Sequence, residues 1–160
     1  MLLVGHSWAG VVITEAGNDP AVAALAYVVA YAPEAGQLLQ DAAGVGPAPA
    51  GGQNLRPDAA GLAAYLGPDL TAAEQPLFLA TRQPLAGAAT ADKVTSAAWQ
   101  TKPSAYLVAS DDRTVNPALQ RATAQRIGAT VHTASGSHFL LLSQPQAVAD
   151  FIIEAARQAG

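Results

Sequence analysis

Three short apolar runs, at 2–4, 27–31 and 105–109, and a fourth short strand-like stretch at 129–134 constrain this chain most. Each is too short for a typical helix and is closed by residues that end strands. "LLV" runs into Gly5, "YVVAY" into Ala32-Pro33, "AYLVA" into "SDDRTVN", and "ATVHTA" into "SGSH". Continuous apolar composition suits strands covered on both faces, which is the condition of a parallel sheet. Helical patterns separate the runs. Ala9, Val12, Ile13 and Ala16 share one helical face, and Gly17, Asn18 and Pro20 stop that helix. Asn116 is a predicted N-cap with Pro117 in the first turn, and Gly128 is the predicted stop. Val148, Phe151, Ile152, Ala155 and Ala156 give the last helix an apolar face, preceded by a capping-box form at Ser143–Gln146. Strands alternating with helices predict an α/β fold: a parallel sheet with right-handed crossovers, flanked by helices.

The stretch 34–102 breaks this alternation. "AGVGPAPAGGQN" is rich in Gly and Pro and reads as an irregular loop. "TAAE" at 71–74 has capping-box form and predicts a helix through Ala80, and a short helix is predicted around Val94–Trp99. The segment reads as a mostly helical insertion between the second and third strands.

At 160 residues the chain is long enough for one domain with a real core and short for two. With 51% apolar and 12% charged residues it is not a disordered chain. A net charge of −4, with no run of Lys or Arg, argues against nucleic acid and anionic membranes as partners. The absence of cysteine excludes disulfides, thiolate metal sites and a cysteine nucleophile, and fits a cytoplasmic protein. No signal-peptide pattern opens the chain, and the longest apolar run, closed by Pro33, is too short to span a bilayer.

Ligands of parallel α/β sheets meet the loops at the carboxyl ends of the strands. Three such loops carry reactive groups: Ser7 after the first strand, Asp111-Asp112 after the third, and His138 after the fourth. A serine hydroxyl needs a base to take its proton, and histidine titrates near neutral pH. A carboxylate fixes the imidazole tautomer and stabilises the imidazolium. The turn "LVGHSWAG" lifts Ser7 clear of the sheet and needs small residues two positions either side, supplied by Gly5 and Ala9. At most one of Asp111 and Asp112 serves as that acid, and the pair could equally be a solvated turn. His132, within a strand, reads as packed; His6 reads as a neighbour of the turn; Glu15 and Arg113 read as surface charges.

The segments "LLVGHSWAG", "AYVVAYAPEAG", "AAWQTKPSAYLVASDDRTV" and "GSHFLLLSQPQAVADFI" resemble the α/β-hydrolase superfamily. More narrowly, they resemble small esterases related to plant methylesterases and hydroxynitrile lyases. The stretch 43–57 has no clear counterpart. The resemblance implies Ser7 as nucleophile, His138 as base, and the Trp8 N–H as an oxyanion donor. It favours Asp112 over Asp111, because Asp112-Arg113-Thr114-Val115 has the family's D-x-x-V form. It also implies that 34–102 is a cap, with Trp99 and residues near Leu77–Leu85 along the pocket. The related lyases carry a lysine after the catalytic histidine; Phe139 stands there, which argues against lyase chemistry. The superfamily's early strands, with the loop supplying a second oxyanion donor, have no counterpart before Met1. The expectation is a single domain over 1–160, the C-terminal part of an α/β-hydrolase fold with a helical cap insertion and an open first-strand edge. The implied activity is a serine carboxylesterase on small-molecule esters, needing no cofactor or metal. The alternative is a catalytically impaired C-terminal portion of such an enzyme.

Overall fold

The computed structural model describes residues 1–44 and 55–158. Four parallel strands, Leu2–His6 (β1), Ala24–Val28 (β2), Ser104–Ala109 (β3) and Thr130–Ala134 (β4), form one sheet in the order β1-β2-β3-β4. Its register places Leu2 beside Ala24, Leu25 beside Ser104, and Ala105 beside Thr130. Helix α1 (Ala9–Ala16) connects β1 to β2. The long connection from β2 to β3 holds α2 (Leu39–Ala43), the single turn α3 (Ala59–Gly61) continued by a π-helical turn at Leu62–Leu66, and α4 (Glu74–Thr81). Helix α5 (Pro117–Arg126) joins β3 to β4, and α6 (Leu140–Ser143) and α7 (Pro145–Gln158) follow.

Alternation along the central strands gives the sheet two buried faces. Leu25, Tyr27, Tyr106 and Val108 face Ile13 of α1 and Ala124 and Ile127 by α5. Ala26, Val28, Ala105 and Leu107 face Leu140 and, from α7, Val148, Phe151 and Ala155. Burying one Leu or Val side chain contributes roughly 1.5–3 kcal/mol, so these two layers hold the sheet. A third cluster, Leu62, Leu70 and Phe139 with Phe78 beside them, seats the β2–β3 connection against the loop after β4.

Several sequence expectations shift. β1 lies at a sheet edge among the described residues, in line with the open first-strand edge, but Val4 is exposed instead of covered on both faces. β2 starts three residues before the run expected at 27–31 and ends at Val28, because Val29 takes a φ of 49° that breaks the extended chain. Thr71 and Glu74 do exchange capping bonds: Glu74 N–H donates to Thr71 Oγ1 (3.3 Å) and Thr71 N–H to Glu74 Oε2 (2.7 Å). The helix expected at Val94–Trp99 reduces to a single 3₁₀ turn at Ala98–Gln100. Ser143 caps no helix; its hydroxyl donates to Asp69 instead. Most of the loop expected at 43–54 lies outside the described residues. Asn116 behaves as predicted, its side chain accepting from Ala118 N–H ahead of Pro117.

Candidate active site

The carboxyl ends of β1, β3 and β4 bring Ser7, Asp112 and His138 together. Ser7 sits on the β1–α1 turn with φ 55°, a left-handed conformation that costs a non-glycine residue about 1–2 kcal/mol. Hydrogen bonds hold it there: Ser7 N–H donates to Val28 C=O (3.2 Å), and Ser7 C=O accepts from Gly10 N–H (3.0 Å) and Tyr31 N–H (3.3 Å). The turn is tight against its surroundings. A Cβ on Gly5 would lie 2.7 Å from Ala9 C=O, and one on Gly10 only 2.1 Å from Tyr31 C=O. Gly10, which the sequence reading passed over, is therefore as demanding a position as Gly5.

The backbone that crowds Gly10 is itself fixed from the sheet. After the strained Val29, the Tyr106 hydroxyl accepts from Ala30 N–H (3.0 Å) and donates to Ala30 C=O (2.6 Å). Burial pushes the Tyr106 phenol far above its ordinary pKa, so it remains a hydroxyl that can do both.

His138 is 2% exposed and Asp112 is 4% exposed. His138 Nε2 is 2.8 Å from Ser7 Oγ, and Nδ1 is 2.9 Å from Asp112 Oδ2. With Nδ1–H donating to the carboxylate, Nε2 is left to accept the serine proton. Three further donors complete the Asp112 carboxylate: Thr114 N–H (2.7 Å), Val115 N–H (3.0 Å) and Gln120 Nε2 (3.0 Å). Gln120 is fully buried; it also donates to Val115 C=O (2.7 Å) and accepts from Ala109 N–H (3.0 Å) at the end of β3. Sequence reasoning missed it. The available signal was a glutamine on the same inward phase of α5 as Thr123 and Ala124.

Asp111 points elsewhere. It is exposed and accepts from Ser110 Oγ (2.8 Å), Ser135 Oγ (3.0 Å) and Gly136 N–H (3.1 Å). These bonds, Ser110's foremost, hold its carboxyl below the usual range. Asp69 grips the other side of the same loop, accepting from Ser137 N–H (2.9 Å), Ser137 Oγ and Ser143 Oγ (2.7 Å). Burial opposes its ionisation, but those donors hold the Asp69 carboxyl below its ordinary value. Phe139 N–H adds a bond to Leu66 C=O (3.1 Å). The histidine loop is thus tied by one carboxylate on each side, and Asp69 was also missed by the sequence reading.

The remaining expectations resolve by position. His6 Nε2 donates to His138 C=O (2.7 Å). Burial first, then the neighbouring His138, lowers its pKa to about 4, so it is neutral at neutral pH. His132 packs edge-on against Phe151, as expected of a packed strand residue. Glu15 is exposed and accepts from Thr95, and Arg113 is exposed with a 3.4 Å contact to Ala64 C=O. Trp8 donates its indole N–H to Ala89 C=O (3.2 Å), while its backbone N–H meets no acceptor among the described residues. Trp99, expected beside the pocket, instead donates to Pro33 C=O (2.9 Å) and lies under Arg126. Of the expected 77–85 stretch, residues 82–85 reach the site. A cleft of about 270 Å³ is lined by Ser7, Trp8, His138 and Phe139 on one side and by residues from Arg82 to Leu85 on the other. Among the described residues no group of three His, Asp or Glu side chains could hold a metal ion, and no helix is long and apolar enough to cross a membrane.

Residues 2–151 match the family described as the alpha/beta hydrolase family. The chain belongs to that family. As an α/β hydrolase it shares its fold with several solved structures. Tomato methylketone synthase I, in complex with 2-tridecanone, superposes with a TM-score of 0.80 at 16% identity, covering 100% of this chain and 72% of the other. An extracellular α/β-hydrolase from a Paenibacillus species, described as homologous in structure and function to tobacco salicylic acid binding protein 2, gives 0.78 at 17% identity, covering 97% and 71%. Polyneuridine aldehyde esterase gives 0.77 at 16% identity, covering 98% and 71%. No curated protein sequence matches the chain. These neighbours share the α/β-hydrolase fold that the sequence resemblance implied.

Proposed function

We propose that this α/β hydrolase is a serine carboxylesterase acting on small-molecule esters through an acyl-enzyme. The observation that carries the reading is the continuous relay from Ser7 Oγ to His138 Nε2 and from His138 Nδ1 to Asp112, with Ser7 and His138 lining one cleft. His138 takes the Ser7 proton as Oγ attacks the ester carbonyl, and Asp112 stabilises the imidazolium that forms. The Trp8 N–H, at the start of α1 and without an acceptor among the described residues, receives the oxyanion. His138 then returns the proton to the departing alcohol, and a water molecule activated by the same histidine hydrolyses the acyl group. Residues 34–102 act as a cap in this reading. Their Asp69 and Leu66 contacts to the His138 loop couple the cap to the base.

The test is a pre-steady-state measurement with 4-nitrophenyl acetate. The expected record is a burst of nitrophenolate approaching one equivalent per chain, followed by slower linear turnover. Release at the buffer rate from a folded sample contradicts the proposal.

A further inference from the structure

Arg82 is the one arginine of the chain that is not exposed, and among the described residues it makes no side-chain hydrogen bond and no ion pair. Arg56, Arg113, Arg121 and Arg126, all more open to solvent, each donate to an oxygen acceptor. At the C-terminal end of α4, Arg82 has its guanidinium carbon 5.2 Å from the Phe78 ring centre and 5.3 Å from that of Phe139. Its Nε is buried without a partner. Two aromatic faces attract a cation but accept none of its in-plane N–H bonds. Burial of the Nε–H without an acceptor is a standing cost, unless a ligand entering the cleft supplies one.

Its position says which ligand. Arg82 lines the cleft that also holds Ser7 and His138. No carboxylate among the described residues answers it there. Asp112 is occupied by four donors, and the undescribed residues 45–54, 159 and 160 carry no acidic side chain. His6, also lining the cleft, is neutral and adds no competing charge. Planar N–H pairs of arginine match a carboxylate in bidentate fashion.

We propose that Arg82 forms an anion subsite of the Ser7 cleft, and that the preferred substrates are esters carrying a second, free carboxylate a few bonds from the scissile carbonyl. A half-ester of a short dicarboxylic acid fits this description. The proposal rests on the reading of Ser7 as nucleophile. In the reaction the alkoxy C–O bond of the half-ester breaks, water supplies the new carboxyl oxygen, and the products are the dicarboxylate, the alcohol and one proton. The free carboxylate changes no bonds; it holds the substrate.

The experiment compares monomethyl succinate with methyl 4-methylpentanoate, a neutral ester of the same shape, by proton release. It adds calorimetric titration of monomethyl succinate into Ser7→Ala, which binds without turnover. The expected kcat/KM ratio favours the half-ester by about tenfold or more, and Arg82→Met collapses that ratio. Arg82→Lys retains part of it, because the charge remains without the fork. In the Ser7→Ala background, Arg82→Met weakens binding of monomethyl succinate by about tenfold or more. A ratio near one in the parent protein, or a ratio and affinity indifferent to both Arg82 variants, overturns the subsite. Neutral-ester turnover with no Arg82 effect defeats the subsite and leaves the nucleophile reading standing. Arg82-dependent binding without any turnover does the reverse.

Discussion

Asp112→Asn lowers ester turnover by about 10⁴-fold, whereas Asp111→Asn stays within roughly threefold of the parent. The two residues are adjacent, so the contrast isolates geometry from local charge. An asparagine at 112 still offers its carbonyl oxygen to Thr114 and Val115 N–H, which keeps the β3–α5 turn folded. Its amide then faces His138 Nδ1, which can no longer donate. The imidazole takes the other tautomer, Nε2 carries the proton, and Ser7 loses its base. At position 111 the carboxylate binds Ser110, Ser135 and Gly136 at the surface, away from His138. Steady-state kinetics on both variants, with circular dichroism to confirm folding, checks the prediction. The reverse ranking removes Asp112 from the relay.

Gly10→Ala destabilises the fold severely. A methyl there meets Tyr31 C=O at 2.1 Å and Ala30 Cβ at 2.8 Å, and both belong to backbone with little freedom to retreat. Tyr31 N–H is bonded to Ser7 C=O, and the Tyr106 hydroxyl clamps Ala30 on both sides. Relief must come from moving α1 off the sheet or distorting the Ser7 turn. Overpacking at a site that cannot yield costs about 3 kcal/mol, which lowers the melting temperature by roughly 10 °C in a chain of this size. Thermal denaturation measures this directly. A melt within two or three degrees of the parent means that the turn is looser than its contacts indicate.

The sequence carried those parts of the molecule whose signals are local. β3 announced itself as a short apolar run, β4 as a short stretch following the Gly128 stop, and α5 through Asn116, Pro117 and Gly128. β2 was misplaced because its first three residues, Ala24, Leu25 and Ala26, include two alanines with little strand preference, while the turn at Val29 depends on Tyr106, some 76 residues away. At the site, Ser7, Asp112 and His138 were legible because chain order and strand ends bring them to one rim. Gln120, Asp69 and Arg82 were not, for a different reason in each case. Gln120 matters only because α5 turns it toward Asp112. Asp69 matters only because the β2–β3 connection folds back over the His138 loop. Arg82 is ordinary in sequence and unusual only through what surrounds it.

The central claim is that Ser7 is a nucleophile activated by His138. Fluorophosphonate labelling, read by mass spectrometry of the intact chain and its peptides, tests it most directly. The account predicts one adduct per chain, located on Ser7, lost in Ser7→Ala and strongly slowed in His138→Ala. A folded sample that takes up no label, or takes it up at another residue, or labels at Ser7 equally fast without His138, contradicts it.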